Sequence, residues 1–478
     1  MNITKLTLSE LSQKFQDGEL TSREITEAFI KNIEDRDKDI NAFVTTTFDL
    51  AREMADAADS RYQNDTLKSP LDGMPIDLKD VISTKEVRTT ASSKILNDYQ
   101  PPFDATVWKK LKNAGAVLLG KTNTDEFTMG ASTENSVFGV TKNPYDLTKV
   151  AGGSSGGPAA SVGANFSAGS IGTDTGGSIR QPASFCGATG LKVSYGRVSR
   201  LGTIPMASSL DTIGPIAKTA EDCAMILQII AGKDEKDSTT SPLEPVNYKT
   251  FLEKKISGLK IGVPKEYIID GIDSEVLQTF NASKAILEDL GAKIIEISLP
   301  HTKYAVPTYY IVAPSEISAN MSRFDGIRFG TKKGEKDLEE IYTETREEGF
   351  GDEVKRRILI GAYSLSAGYY DAFYRKAQKV RTLIKQDFEK AFEDVDAILT
   401  PVSPTPAFDI GQNTEDPLKM YLEDIFTIPA SLAGICGLST PIGKSKGNLP
   451  IGIQLLGPAF KEELILQIAH QMQKSIQK

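Results

Sequence analysis

The chain has 478 residues, 40% of them hydrophobic and 25% charged, enough apolar material for a large core. Lysine and arginine total 55 against 64 aspartate and glutamate, and the net charge of −9 argues against strong unaided binding to nucleic acid. The three cysteines, Cys186, Cys223 and Cys436, are dispersed and form no C-x-x-C pair, so neither a disulfide framework nor a zinc site is expected, and a reducing cytoplasm is.

Residues 5–60 read as helices, with Leu8, Leu11 and Phe15 and then Ile25, Phe29 and Ile33 at helical spacing. Thr21-Ser22-Arg23-Glu24 has the form of a capping box. The start MNITKLTLSELSQKF lacks the basic and apolar regions of a signal peptide. No run reaches the ~18–20 apolar residues of a membrane span.

From residue 73 short apolar runs alternate with helical stretches. Met74–Lys79, Ala116–Leu119, Ile261–Pro264, Ala397–Thr400 and Pro450–Leu455 read as strands. Ala105–Ala114, Ser274–Leu290 and the closing Glu462–Ile476 read as helices. Tyr145–Val150 is polar and shows no strand pattern, and 331–357 reads as a charged, solvated helix or excursion. The alternation predicts an α/β fold, one domain over 1–478 with a mixed central sheet covered by helices on both faces. Within it lie a helical segment at 1–65, a catalytic core at 73–215 and a remainder at 216–478.

Two familiar motifs fail in context. Gly115-Ala-Val-Leu-Leu-Gly120-Lys121-Thr122 has P-loop spacing, but its AVLL is an apolar strand, which cannot wrap phosphates. Gly152-Gly153-Ser154-Ser155-Gly156 fits a nucleophile elbow, which needs an entering strand and a histidine base. The only histidines are His301, beside Pro300, and His470, in the closing helix. Cys186 has no neighbouring histidine to generate a thiolate and reads as a core residue.

Lys79, Ser154 and Ser178 remain. A desolvated lysine loses its proton readily and can serve where histidine is missing, with one serine relaying the proton of another. Thr175-Gly176-Gly177-Ser178 offers consecutive backbone N–H groups for an oxyanion.

These segments resemble the amidase signature family. GGSSGGP at 152–158, GTDTGGSIRQPASFCG at 172–187 and GMPIDLKD at 73–80 match its glycine- and serine-rich core. The resemblance implies Ser178 as nucleophile, Ser154 as relay after a cis peptide bond with Gly153, and Lys79 as base. Pro158 and Asp77 depart from the family pattern. If one strand carries Asp77 and Lys79 on one face, Asp77 is placed to perturb the base.

The chain is most similar to the family's glutamine-using branch, by Ser322–Gly330 and Arg356–Tyr370. That implies Arg357 for the α-carboxylate of glutamine, Asp424 for its α-ammonium, and Tyr309 and Met129 in the pocket. It also implies a heterotrimer with two partners: a tRNA-binding subunit that uses ATP and Mg to amidate glutamate or aspartate on tRNA, and a small third subunit. This chain itself would hold no cofactor or metal.

Overall fold

The computed structural model describes residues 2–476. Thirteen strands occur there: Phe43–Thr46 (β1), Pro75–Lys79 (β2), Val117–Thr122 (β3), Lys142–Asn143 (β4), Asp146–Val150 (β5), Gly169–Asp174 (β6), Thr189–Lys192 (β7), Thr212–Ala217 (β8), Lys260–Pro264 (β9), Lys293–Ile297 (β10), Ala397–Pro401 (β11), Cys436–Lys444 (β12) and Pro450–Gly457 (β13). Eleven of them form one sheet in the order β1-β3-β2-β6-β8-β7-β12-β13-β11-β9-β10, and β4 and β5 make a separate ribbon. Pairing is parallel through β3, β2 and β6, antiparallel across the middle, and parallel again through β11, β9 and β10. The single α/β domain with a mixed, helix-flanked sheet is the architecture that the strand and helix alternation predicts.

Every residue of β2, β3, β6, β7, β8, β11 and β13 is buried, which explains why these segments read as apolar or small-residue runs without alternation. The sheet edges β1 and β10 are partly exposed. Thr21 and Glu24 complete the expected capping box at the helix Ser22–Ile40, and Thr7 and Glu10 form a second one.

Two expectations are corrected. The helical segment 1–65 contains β1, a four-residue edge strand that pairs only with β3. Tyr145–Val150 does hold a strand: β5 is partly exposed and lies outside the main sheet, pairing with the two-residue β4 and bridging to Asp409, so no apolar alternation marks it.

Within the P-loop pattern, residues 117–122 form β3, and Lys121 is buried with its Nζ 2.9 Å from Thr89 Oγ1. Among the described residues no helix is long and apolar enough to cross a membrane.

Candidate active site

β2, β3 and β6 run parallel, so their carboxyl ends open on one side of the sheet, where α/β folds place their ligands. Lys79 is the last residue of β2, and β6 runs into the turn 175–178. The helix Gly156–Gly163 begins there too, preceded by Ser154 and Ser155. Pro158 sits in its first turn, where its missing N–H costs no helical hydrogen bond.

Lys79 is fully buried, and its Nζ lies 2.8 Å from Ser154 Oγ, 2.8 Å from Ser155 Oγ and 2.9 Å from Thr173 Oγ1. Burial lowers its ammonium to about 7, against the opposing pull of Asp125, Asp174 and Asp211. The Gly153–Ser154 peptide bond is cis. Ser178 is joined to this loop through its carbonyl, which accepts the Ser155 N–H at 3.1 Å.

Dense packing holds the turn that carries Ser178. Arg180 grips Asp174 in a bidentate pair, Nε to Oδ2 at 3.0 Å and Nη2 to Oδ1 at 2.9 Å, with both side chains wholly buried. Burial raises the Asp174 carboxyl, but the Arg180 charge and hydrogen bonds outweigh it and hold the group below the usual range. Thr175 Oγ1 donates to Asp211 at 2.8 Å, and Thr427 Oγ1 donates to the Gly176 carbonyl at 2.7 Å. Among the described residues, the backbone N–H groups of Thr175, Gly176, Gly177 and Ser178 meet no acceptor.

The same turn touches two of the substrate-binding candidates. A Cβ on Gly176 would lie 2.9 Å from the Tyr309 ring, and one on Gly177 would lie 2.6 Å from Asp424 Oδ1. Only glycine lets both residues come so near the backbone. Asp424 is buried, and desolvation together with Asp174 drives its carboxyl well above the usual range, with Arg180 and Arg357 pulling the other way.

Arg357 is buried in the helix Asp352–Leu365, with Nε 2.8 Å from Glu353 Oε1. Its guanidinium lies 5.6 Å from the Tyr310 ring and 5.7 Å from the Tyr421 ring, which stack on each other at 3.7 Å. A cleft of about 220 Å³ lined by Gly130, Ser132, Glu353, Arg357 and Tyr421 opens here. A second cleft, of about 200 Å³, includes Thr128, Thr173 and Asp211. Met129 lies between residues that line the two clefts, with its own side chain buried in the core.

The model of the Amidase family matches residues 24–466. The chain belongs to the amidase family. A similar relative is a glutamyl-tRNA(Gln) amidotransferase subunit of Carboxydothermus hydrogenoformans, 52% identical over 99% of this chain and 98% of the relative. Among solved structures, a glutamyl-tRNA(Gln) amidotransferase subunit from Thermotoga maritima is 42% identical with a TM-score of 0.82, covering 99% of this chain and 95% of that one. The peptide amidase from Stenotrophomonas maltophilia is 27% identical with a TM-score of 0.84, covering 99% of this chain and 97% of that one.

Other parts of this amidase fold were not foreseen or differ from expectation. Ser155 and Thr173, which share Lys79 with Ser154, carry no sequence signal beyond their place in the small-residue clusters. Asp77 reaches the helix Gly156–Gly163, accepting from Ser161 Oγ at 2.7 Å, but it does not set the base. Its carboxyl, raised to about 6 by burial, also accepts from Thr122 at 3.2 Å and from Ser170, and the carboxylates that act on Lys79 are Asp125, Asp174 and Asp211. β5 supplies the entering strand that the elbow reading lacked, but both histidines are engaged elsewhere. His301 Nδ1 lies 2.8 Å from Asp387, and His470 Nε2 lies 3.1 Å from Glu253. Cys186 is buried, and desolvation pushes its thiol up, away from thiolate formation.

Proposed function

We propose that the chain is a glutaminase subunit, which releases ammonia from glutamine through a glutamyl ester on Ser178 for the amidation of glutamate or aspartate carried on tRNA. The observation that carries the chemistry is the fully buried Lys79 with its Nζ 2.8 Å from Ser154 Oγ; burial lowers its ammonium to about 7, so the amine is neutral in much of the population near neutral pH.

Ser178 Oγ attacks the side-chain carboxamide carbon and gives its proton to Ser154, whose own proton passes to Lys79 Nζ. The oxygen that gains charge is met by the N–H groups of the turn 175–178, preorganised by Asp174, Asp211 and Thr427. Collapse expels the amide nitrogen, which takes the proton back along the same path and leaves as ammonia. Water repeats the cycle on the ester and frees glutamate.

Arg357 and Asp424 would bind the α-carboxylate and α-ammonium, and Tyr309 would close the pocket against the turn. A fixed cation and a buried carboxyl that ionises against an incoming ammonium suit a zwitterionic substrate and offer nothing to a simple aliphatic amide. Relatives named as subunits of a glutamyl-tRNA(Gln) amidotransferase, 52% identical over nearly the whole chain, support work within an assembly. In it a tRNA-binding subunit would hold ATP and Mg and a small third subunit would complete the complex, in the cytoplasm. The assembly, given glutamine or butyramide, should favour glutamine by roughly a thousandfold in kcat/KM. Comparable turnover of the two would instead point to a general amidase.

A further inference from the structure

The helix that carries Arg357 starts at Gly351, a residue with no side chain to satisfy the helix N-terminus. Glu126 holds that end instead by binding the N–H of the N-cap residue itself. Its Oε2 accepts the Gly351 N–H at 2.8 Å, and its Oε1 accepts from Ser93 Oγ at 2.5 Å. Ser93 Oγ also reaches the Gly349 carbonyl at 3.2 Å, so both sides of the helix entry are tied to one cluster. Glu126 is only 3% exposed, and burial raises its carboxyl to about 7 against the hydrogen bonds from Ser93 and the Gly351 N–H, so it anchors the helix end chiefly by hydrogen bonding. The next residue, Phe127, packs its ring 5.7 Å from that of Phe350, just before the helix.

The residue on the other side of Glu126 reaches the triad loop. Asp125 accepts the N–H of Thr133 at 2.9 Å, and Thr133 Oγ1 in turn donates to the Gly152 carbonyl at 2.8 Å and accepts the Gly156 N–H at 3.0 Å. Two adjacent carboxylates therefore face opposite ways, one to the serine loop and one to the arginine helix.

We infer that Glu126 is a positioning residue for glutamine recognition, anchoring from a distant part of the chain the start of the helix that sets Arg357. The inference rests on the reading of Arg357 as the carboxylate-binding group. Gly351 gives it a specific genetic signature. A Cβ there would lie 2.5 Å from Glu126 Oε2 and 3.6 Å from its Cδ, and would meet nothing else within 4 Å. The Gly351 backbone, at φ −74° and ψ 169°, suits a serine cap.

The test uses the full chain in its complex, with kcat and KM measured separately for glutamine and butyramide. Glu126→Ala should lower the glutamine-to-butyramide ratio of kcat/KM by about fivefold to tenfold, through KM for glutamine. Gly351→Ser alone should lower the same ratio by clashing with Glu126. Combined, the two changes should recover the ratio above that of either single, because without Glu126 the serine meets no clash and anchors the same helix end by accepting an N–H of the first turn. A double variant no better than the worse single, or a Glu126→Ala chain that loses both substrates equally, overturns the inference. Should Glu126→Ala fail to fold, Glu126→Gln is read the same way, with a smaller drop in the ratio expected and no drop counting against the inference. Arg357→Ala, run alongside, separates the two failures. If it leaves the ratio unchanged, the reading of Arg357 itself falls; if it lowers the ratio while the Glu126 variants do not, only the Glu126 inference falls.

Discussion

Ser154 and Ser155 both lie 2.8 Å from Lys79 Nζ, but Ser155 has its own proton committed, donating to the Thr173 carbonyl at 3.0 Å. A neutral amine keeps one lone pair, and only a hydroxyl with a free proton can serve it. Ser154 donates to no protein acceptor among the described residues. Ser154→Ala should therefore lower single-turnover acylation by a hundredfold or more, and Ser155→Ala by about tenfold. Equal losses would mean that the two hydroxyls share the relay.

The pH profile follows from the buried lysine. Below about 7 Lys79 is an ammonium and cannot accept a proton, so acylation should climb with pH and level off above that value. His301→Gln and His470→Gln should leave the limb in place, since their partners are Asp387 and Glu253. A limb that disappears with either histidine would move the base away from Lys79.

Arg357 and Asp424 should control selectivity rather than chemistry. Arg357→Ala should lower the glutamine-to-butyramide ratio of kcat/KM by a hundredfold or more, mainly through KM, and Asp424→Asn should do so more weakly. Steady-state kinetics on the two amides checks this. An unchanged ratio would make both residues supports of the fold.

The fully buried Arg180 guanidinium makes five hydrogen bonds: two to Asp174 and one each to the Thr427 carbonyl, Gln454 and Ser431. Replacing it with methionine leaves the Asp174 carboxylate buried and unpaired. That should cost about 3–5 kcal/mol in denaturant unfolding. Acylation should fall as well, because Asp174 also holds the Ile179 N–H at 3.1 Å, next to Ser178.

The serine and lysine elements were legible in the sequence because a site built from backbone must be written in glycine and serine. The buried strands were legible for a related reason: burial on both faces gives them short apolar or small-residue runs. β1 and β5 escaped because short, exposed edge pairs leave no periodicity. The setting of the lysine escaped too, since which carboxylates act on Lys79, here Asp125, Asp174 and Asp211, depends on tertiary packing between segments far apart in the chain. Arg357 could be named only from the resemblance. Nothing in 331–357 shows that one arginine of a charged helix turns inward beneath Tyr310 and Tyr421.

The central claim is that glutamine acylates Ser178, and quenched-reaction mass spectrometry of the peptide containing residues 172–187 tests it most directly. Wild type and Asp424→Asn should carry a glutamyl ester on that peptide. Ser178→Ala should carry none, and Lys79→Ala combined with Ser154→Ala should be little worse than the worse of the two alone. An adduct that persists in Ser178→Ala, or that maps to Ser154 or Cys186, would contradict the account.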